Sequence, residues 1–278
     1  MSTTFTVGLI SDVFYQDDAE ERLHARLREA KSLGAELAVI PECGCNSWCP
    51  ATKDARDEDA EDPGGARATM QSRAARDVGI GLVGAAIVRD PGDGRRYNTA
   101  LVFDDEGELI GTYAKCHIPE EEGFWESSHY EASPHPPARI DGFAMPIGVQ
   151  ICSDNNRPEG CHLLGAQGVE CILNPRAATQ HEVVKWRPVW TANALTSCAY
   201  VLSVNRPSPE QDVPIGGPSI AIAPNGEVIL DTMDTVSVVT LERSVIERAR
   251  RDYPGYLAVR SDLYARAWES IAASGVSS

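Results

Sequence analysis

The run Met145-Pro146-Ile147-Gly148-Val149-Gln150-Ile151 ends on Cys152-Ser153-Asp154, and a helix is predicted to begin soon after, at Pro158. An apolar segment of strand length that delivers a polar residue ahead of a helix is the repeating unit of layered α/β proteins. The same kind of strand end occurs twice upstream. Glu36-Leu37-Ala38-Val39-Ile40 runs into Pro41-Glu42, and Leu109-Ile110-Gly111-Thr112-Tyr113 runs into Ala114-Lys115. In open α/β sheets the ligand crevice lies outside the carboxyl ends of the strands. If these three strands are neighbours, a carboxylate, an amine and a thiol converge there.

Outward from these segments the alternation continues. Strands are predicted at residues 5–10, 80–88, 97–103, 108–114, 171–173, 200–204 and 236–241, besides those at 36–40 and 144–151. Helices are predicted at residues 18–33, 66–78, 158–166 and 182–196, with a short helix and a tail closing the chain. Asp104-Asp105-Glu106-Gly107 and Asn225-Gly226 are hairpin signals, the second joining strands at 219–223 and 227–230. Residues 43–65, with the acidic run DARDEDAEDPGG, read as a solvated loop, and residues 117–141 as a loop rich in Pro, Glu and His. No repeat or linker divides the chain, so a single domain over residues 1–278 is expected.

The composition is that of a globular protein, 42% hydrophobic and 24% charged over 278 residues. No apolar stretch approaches the roughly 20 residues a bilayer requires. The start, MSTTFTVGLI, lacks a basic segment followed by an apolar one. A cytoplasmic protein without a membrane partner is expected. Acidic residues exceed basic ones, 41 to 25, for a net charge of -16, which repels nucleic acid. Gly79-Ile80-Gly81-Leu82-Val83-Gly84 matches the dinucleotide fingerprint. Its order is reversed, with a helix before it and a strand after, so no phosphate would meet a helix N-terminus. Its glycines read instead as a helix end and a tight strand start. Of the eight cysteines, Cys43, Cys45 and Cys49 tempt a zinc reading. They are not spaced as paired CxxC knuckles and no histidine is near in sequence, so no metal is expected.

Cys152, between a strand and a helix start, is placed where unpaired backbone N–H groups favour a thiolate. Only four lysines occur, which makes Lys115 at a strand end more conspicuous, because lysine alone among the strong cations has a tunable proton. Together the three residues resemble the catalytic set of the carbon–nitrogen hydrolase (nitrilase/amidase) superfamily, which is Glu, Lys and Cys in that chain order. Glu42 lies in Ala38-Val39-Ile40-Pro41-Glu42, similar to the family's first block. Lys115 lies in Tyr113-Ala114-Lys115-Cys116-His117-Ile118-Pro119 and Cys152 in Gly148-Val149-Gln150-Ile151-Cys152-Ser153-Asp154, like its second and third. The likeness continues through Gly217-Pro218-Ser219 to Asn225-Gly226 and the tail Arg260-Ser261-Asp262-Leu263-Tyr264.

The resemblance implies a four-layer α-β-β-α sandwich, two mixed sheets with helices on the outer faces, assembled as a homodimer or larger homo-oligomer. It implies a fourth site residue, a second glutamate, which Glu126 in Gly123-Phe124-Trp125-Glu126 fits; Glu120, Glu121 and Glu122 compete for the position. It implies no cofactor, since Lys115 itself neutralises an oxyanion together with the backbone N–H of Ser153. The substrate is expected to be a small amide or N-carbamoyl compound, with nitrile hydrolysis by the same triad as the alternative. Trp48, Trp125, Asn155 and Asn174 lie near the motifs and are candidates to line the pocket. Arg157 and Arg176 are candidates to meet a substrate carboxylate. Ser153, Arg157 and Asn193 depart from residues usual in the family. Two other classes stay open: a non-catalytic amidase-like binding protein, and a Cys–His hydrolase using His117 or His162.

Overall fold

The computed structural model describes residues 3–275. Strand β1 (Thr4–Ile10) leads into helix α1 (Ala19–Ser32), strand β2 (Leu37–Val39) and helix α2 (Ala66–Val78). Strands β3 (Gly81–Arg89), β4 (Arg96–Phe103) and β5 (Leu109–Ala114) follow as a meander. A two-stranded ribbon, β6 (Glu120–Glu121) and β7 (Phe124–Trp125), precedes β8 (Ile147–Val149), α3 (Pro158–Ala166) and β9 (Cys171–Arg176). Helix α4 (Val183–Ser197), β10 (Tyr200–Asn205), β11 (Ser219–Ile222), β12 (Val228–Thr232) and β13 (Val236–Glu242) complete the sheets. Helices α5 (Arg243–Arg251) and α6 (Ser261–Ala273) end the described chain.

The first sheet has six strands in the order β13-β1-β2-β3-β4-β5, and the second five in the order β12-β11-β10-β9-β8. Their inner faces share one core. Phe5, Val7 and Leu9 of β1, Leu37 and Val39 of β2, and Ala100 and Val102 of β4 meet Ile147, Val149 and Leu173 of the other sheet. The alternate residues of the first sheet, Ile10, Ala38, Leu82 and Leu101, pack outward against Leu23, Leu27 and Ala30 of α1 and Ala74 and Ala75 of α2. Helices α3 and α4 cover the outer face of the second sheet, packing Leu164, Trp186, Trp190 and Ala194 against residues such as Ile172. This period-two division of each strand gives the four layers expected, each fully buried large side chain contributing about 1.5–3 kcal/mol.

The glycines of residues 79–84 act as backbone devices. Gly79 ends α2 with φ +69°, and a Cβ on Gly84 would lie 1.9 Å from Oε1 of Gln71. Gln71 uses that space to bond the N–H and C=O of Ala85 at 2.8 and 3.2 Å, fastening α2 to β3.

Differences from the sequence reading concern ends. The strand predicted at residues 144–151 shortens to Ile147–Val149, and the predicted tail contains helix α6. No residue of α6 is buried, and Leu263, Tyr264, Trp268 and Ile271 are exposed. Within the loop of residues 43–65 the acidic run is largely exposed as expected, but Asp59 and Ala60 are buried. Among the described residues no helix is long and apolar enough to cross a membrane.

Candidate active site

The three reactive strand ends come together, although not as neighbours in one sheet. β2 and β5 belong to the first sheet, separated by β3 and β4, while β8 belongs to the second. β5 runs in the direction of β3 because two antiparallel pairings intervene, and β3 is parallel to β2. Packing the sheets face to face then brings the ends of β2, β5, β8 and β9 to one edge of the sandwich.

At that edge Lys115 Nζ donates to Glu42 Oε1 at 2.7 Å and to Glu126 Oε2 at 2.5 Å, with all three side chains wholly buried. Asn98 Nδ2 donates to Glu42 Oε1 at 2.8 Å, and the Ala177 N–H donates to Glu42 Oε2 at 2.9 Å. Tyr130 donates its hydroxyl to Glu126 Oε2 at 2.6 Å, while Glu126 Oε1 has no partner among the described residues. Of the four competing glutamates, the fold brings Glu126 to Lys115, and Glu120, Glu121 and Glu122 are exposed. Cys152 Sγ donates to Ala177 O at 3.6 Å, so a single residue touches both Glu42 and Cys152.

Burial works against the Lys115 ammonium, but Glu126 and Glu42 outweigh it and hold Lys115 well above its ordinary value. Burial pushes Glu126 up to about 7, against the pull of Lys115. Burial, and then Glu42, hold the Cys152 thiol well above its ordinary value, with Lys115 pulling the other way. The thiolate expected from a helix start is therefore not what the fold sets up. Cys152 is followed by a 3-10 turn (Cys152–Asn156), α3 begins only at Pro158, and the thiol meets a carbonyl. Cys152 has φ 46°, a left-handed conformation that costs a non-glycine residue about 1–3 kcal/mol and often marks functional sites.

Several supports were not legible in the sequence. Asp154, fully buried, accepts the Tyr113 hydroxyl at 2.8 Å, the Cys116 N–H at 3.1 Å, and the His117 N–H and Nδ1 at 2.8 Å each. It thus ties the turn carrying Cys152 to the residues on both sides of Lys115. Arg206 donates to the carbonyls of Glu42, Cys43 and Asn46 at 3.0, 2.8 and 2.9 Å and pairs with Glu210, fixing the turn after β2.

The remaining predicted residues divide. Asn174 is a buried brace, donating to the Gln150 and Cys152 carbonyls at 2.6 and 3.3 Å while its Oδ1 accepts from Trp190 and Ser203. Asn155 accepts from Asn193 on α4 at 2.8 Å, so Asn193 also serves to seat the Cys152 turn. Trp48 is fully buried against Phe124 and donates to Gly123 O at 2.8 Å. Trp125 is half-buried beneath Lys53 Nζ at 4.0 Å, and half-buried Ser153 donates its hydroxyl to His117 O at 2.5 Å. Arg157 is exposed. Arg176 is fully buried, donating to Ser203 Oγ at 2.6 Å and Pro218 O at 2.5 Å, and its Nε has no partner. Neither histidine of the Cys–His alternative bonds Cys152: His117 faces Asp154, and His162 meets Thr196 at 2.8 Å.

Residues 18–251 match the profile of the carbon–nitrogen hydrolase family, which is most of the chain. The chain belongs to the carbon–nitrogen hydrolase family. This carbon–nitrogen hydrolase is 29% identical to the chloroplastic omega-amidase of Arabidopsis thaliana, over 94% of this chain and 74% of that protein. It is 30% identical to the omega-amidase NIT2 of Danio rerio, over 87% of this chain and 89% of that protein. Its fold is that of Saccharomyces cerevisiae Nit3, a member of branch 10 of the nitrilase superfamily. The TM-score is 0.81 at 23% identity, covering 94% of this chain and 97% of that one.

Proposed function

We propose that this carbon–nitrogen hydrolase is an amidase that cleaves the C–N bond of a small amide through a thioester on Cys152. The observation that carries this reading is the buried Lys115 ammonium held at 2.7 and 2.5 Å by Glu42 and Glu126 beside a buried thiol. The likeness to omega-amidases supports an amide over a nitrile substrate.

In this reading Glu42 removes the thiol proton as Cys152 attacks the carbonyl carbon. The developing oxyanion is met by the Lys115 ammonium and the Ser153 N–H. Glu42 then gives its proton to the departing nitrogen, ammonia leaves, and a thioester remains. Water deprotonated by Glu42 attacks the thioester and returns the thiol with the carboxylic acid product. Glu126 keeps Lys115 charged and oriented, and its unpartnered Oε1 is free to accept from the substrate amide N–H.

Asp154 is a positioning residue in this scheme, because it holds the Lys115 segment to the Cys152 turn. Asp154→Asn removes a charged acceptor of several hydrogen bonds, each worth about 1.5–3 kcal/mol. Steady-state kinetics should show kcat lowered by about 10–100-fold with KM nearly unchanged. An equal rise in KM with kcat intact would point to substrate binding instead.

Arg176 favours a substrate that carries a carboxylate. A buried guanidinium ordinarily has an acidic partner. Among the described residues Arg176 pairs with none, and it precedes Ala177, which touches both Glu42 and Cys152. Ammonia release should be measured on succinamate, butyramide, a carbamoyl amino acid and a nitrile. The amides should release ammonia, and Arg176→Met should cut kcat/KM for succinamate about 100-fold with little change for butyramide. Equal losses on both amides would remove the carboxylate reading. Release from the nitrile alone would overturn the amidase reading.

A further inference from the structure

We propose that Cys49, Asp59 and His129 form a binding site for one divalent metal ion of the Zn²⁺ class, separate from the Glu42, Lys115 and Cys152 cluster. The sequence offers no histidine near Cys49, but the fold delivers one from a distant loop. One ligand atom from each residue lies within 4.8 Å of the other two, and all three residues are buried. It is the one such group among the described residues.

His129 supplies the second observation. Its Nε2 lies 2.8 Å from the Thr52 carbonyl, which can only accept, so Nε2 carries the proton and Nδ1 presents a bare lone pair. His129 is 3% exposed, and Nδ1 has no hydrogen-bond partner. A histidine that donates one ring N–H to a backbone carbonyl and leaves the other nitrogen free has the arrangement of a metal ligand with its outer support in place. Asp59 is supported in the same way, accepting the Arg56 N–H at 3.0 Å on one oxygen and the Arg56 guanidinium at 3.1 Å on the other.

One thiolate, one imidazole and one carboxylate are a ligand set that suits Zn²⁺, with a fourth tetrahedral position left for water. Metal–ligand lengths of about 2.0–2.3 Å place donors about 3.5 Å apart, so each side chain need close in by no more than about 1 Å. Binding exchanges the Cys49 thiol proton, released to solvent, for a sulfur–metal bond, with no change of oxidation state. The ion would join three segments: the 3-10 turn Cys49–Ala51, the 3-10 turn Asp57–Asp59, and the turn in which the His129 N–H bonds Glu126 O at 2.9 Å. The first two follow Glu42 and the third carries Glu126, so the metal would clasp together the two loops bordering the lysine.

The test is a Co²⁺ titration of reduced, chelator-stripped Cys152→Ala protein, which removes the other site's sulfur. The expected result is one equivalent bound, with visible d–d bands of tetrahedral cobalt and a near-ultraviolet thiolate charge-transfer band, both bleached by Zn²⁺. Cys49→Ser should lose the charge-transfer band, and His129→Gln should lose the bound equivalent. Because Cys49→Ser could fold poorly, Zn²⁺-induced thermal stabilisation is read in parallel, present in Cys152→Ala and absent in Cys152→Ala/His129→Gln. Absence of a thiolate–cobalt band in Cys152→Ala, or its persistence in both Cys49→Ser and His129→Gln, would overturn the site.

Discussion

Lys115→Met is expected to abolish measurable turnover and to lower the unfolding free energy by about 3–5 kcal/mol at about pH 8. The lysine stands between two carboxylates that no water reaches, and its removal leaves them facing each other without a counter-charge. One of them must then hold a proton. Glu126 is already pushed up to about 7 by burial while Lys115 pulls it down, so without Lys115 it rises further. A carboxyl whose folded value lies above its ordinary 4.5 binds its proton more tightly in the folded chain. Its contribution to stability is present below the ordinary value and is lost as pH rises through the folded one. Urea unfolding should therefore show the deficit of Lys115→Met growing from about pH 7 to about pH 8, because only above about 7 does wild-type Glu126 release a proton that the variant still holds. Adding Glu126→Gln should restore much of the stability and none of the activity. Equal stability of Lys115→Met and wild type at both pH values would mean that the ion cluster is not formed as described.

Cys152→Ala should reduce amide turnover by at least about 10⁴-fold while leaving the fold intact. The substitution removes one sulfur whose single hydrogen bond is to Ala177 O, and alanine is no more strained at φ 46° than cysteine. Glu42→Gln should cost about 10²–10⁴-fold, because the thiol rests protonated and needs a base at the moment of attack. Loss in both variants, with native circular dichroism and thermal unfolding, separates a chemical role from a packing one. Activity retained by either would break the proposed division of labour.

How much of this could be read from the residues alone depended on range. Helix α2, the hairpin of β4 and β5, and α3 are written in local periodicity and turn residues, and their bounds match expectation to within a residue or so. Glu42, Lys115 and Cys152 were legible because each sits at the end of an apolar run. Whether their strands were neighbours was not legible, since a strand's sheet is chosen by pairing that no single segment encodes, and the three ends meet across two sheets. The supports were invisible for the same reason: Asn98 lies 56 residues from Glu42, and Arg206 lies 164 residues from it. The hydrogen bonds of Trp48 and Asn174 were not legible either, because nearness in sequence to a motif says nothing of which way a side chain faces. Helix α6 went unrecognised because no burial within this chain requires it.

The central claim, a thioester on Cys152, is tested most directly by intact mass of wild type and Cys152→Ala quenched in acid during turnover of succinamate, with ammonia followed in parallel. The expected result is an adduct on wild type equal to the substrate less ammonia, mapped to the Cys152 peptide, and neither adduct nor ammonia from Cys152→Ala. Ammonia released by Cys152→Ala at the wild-type rate would contradict it.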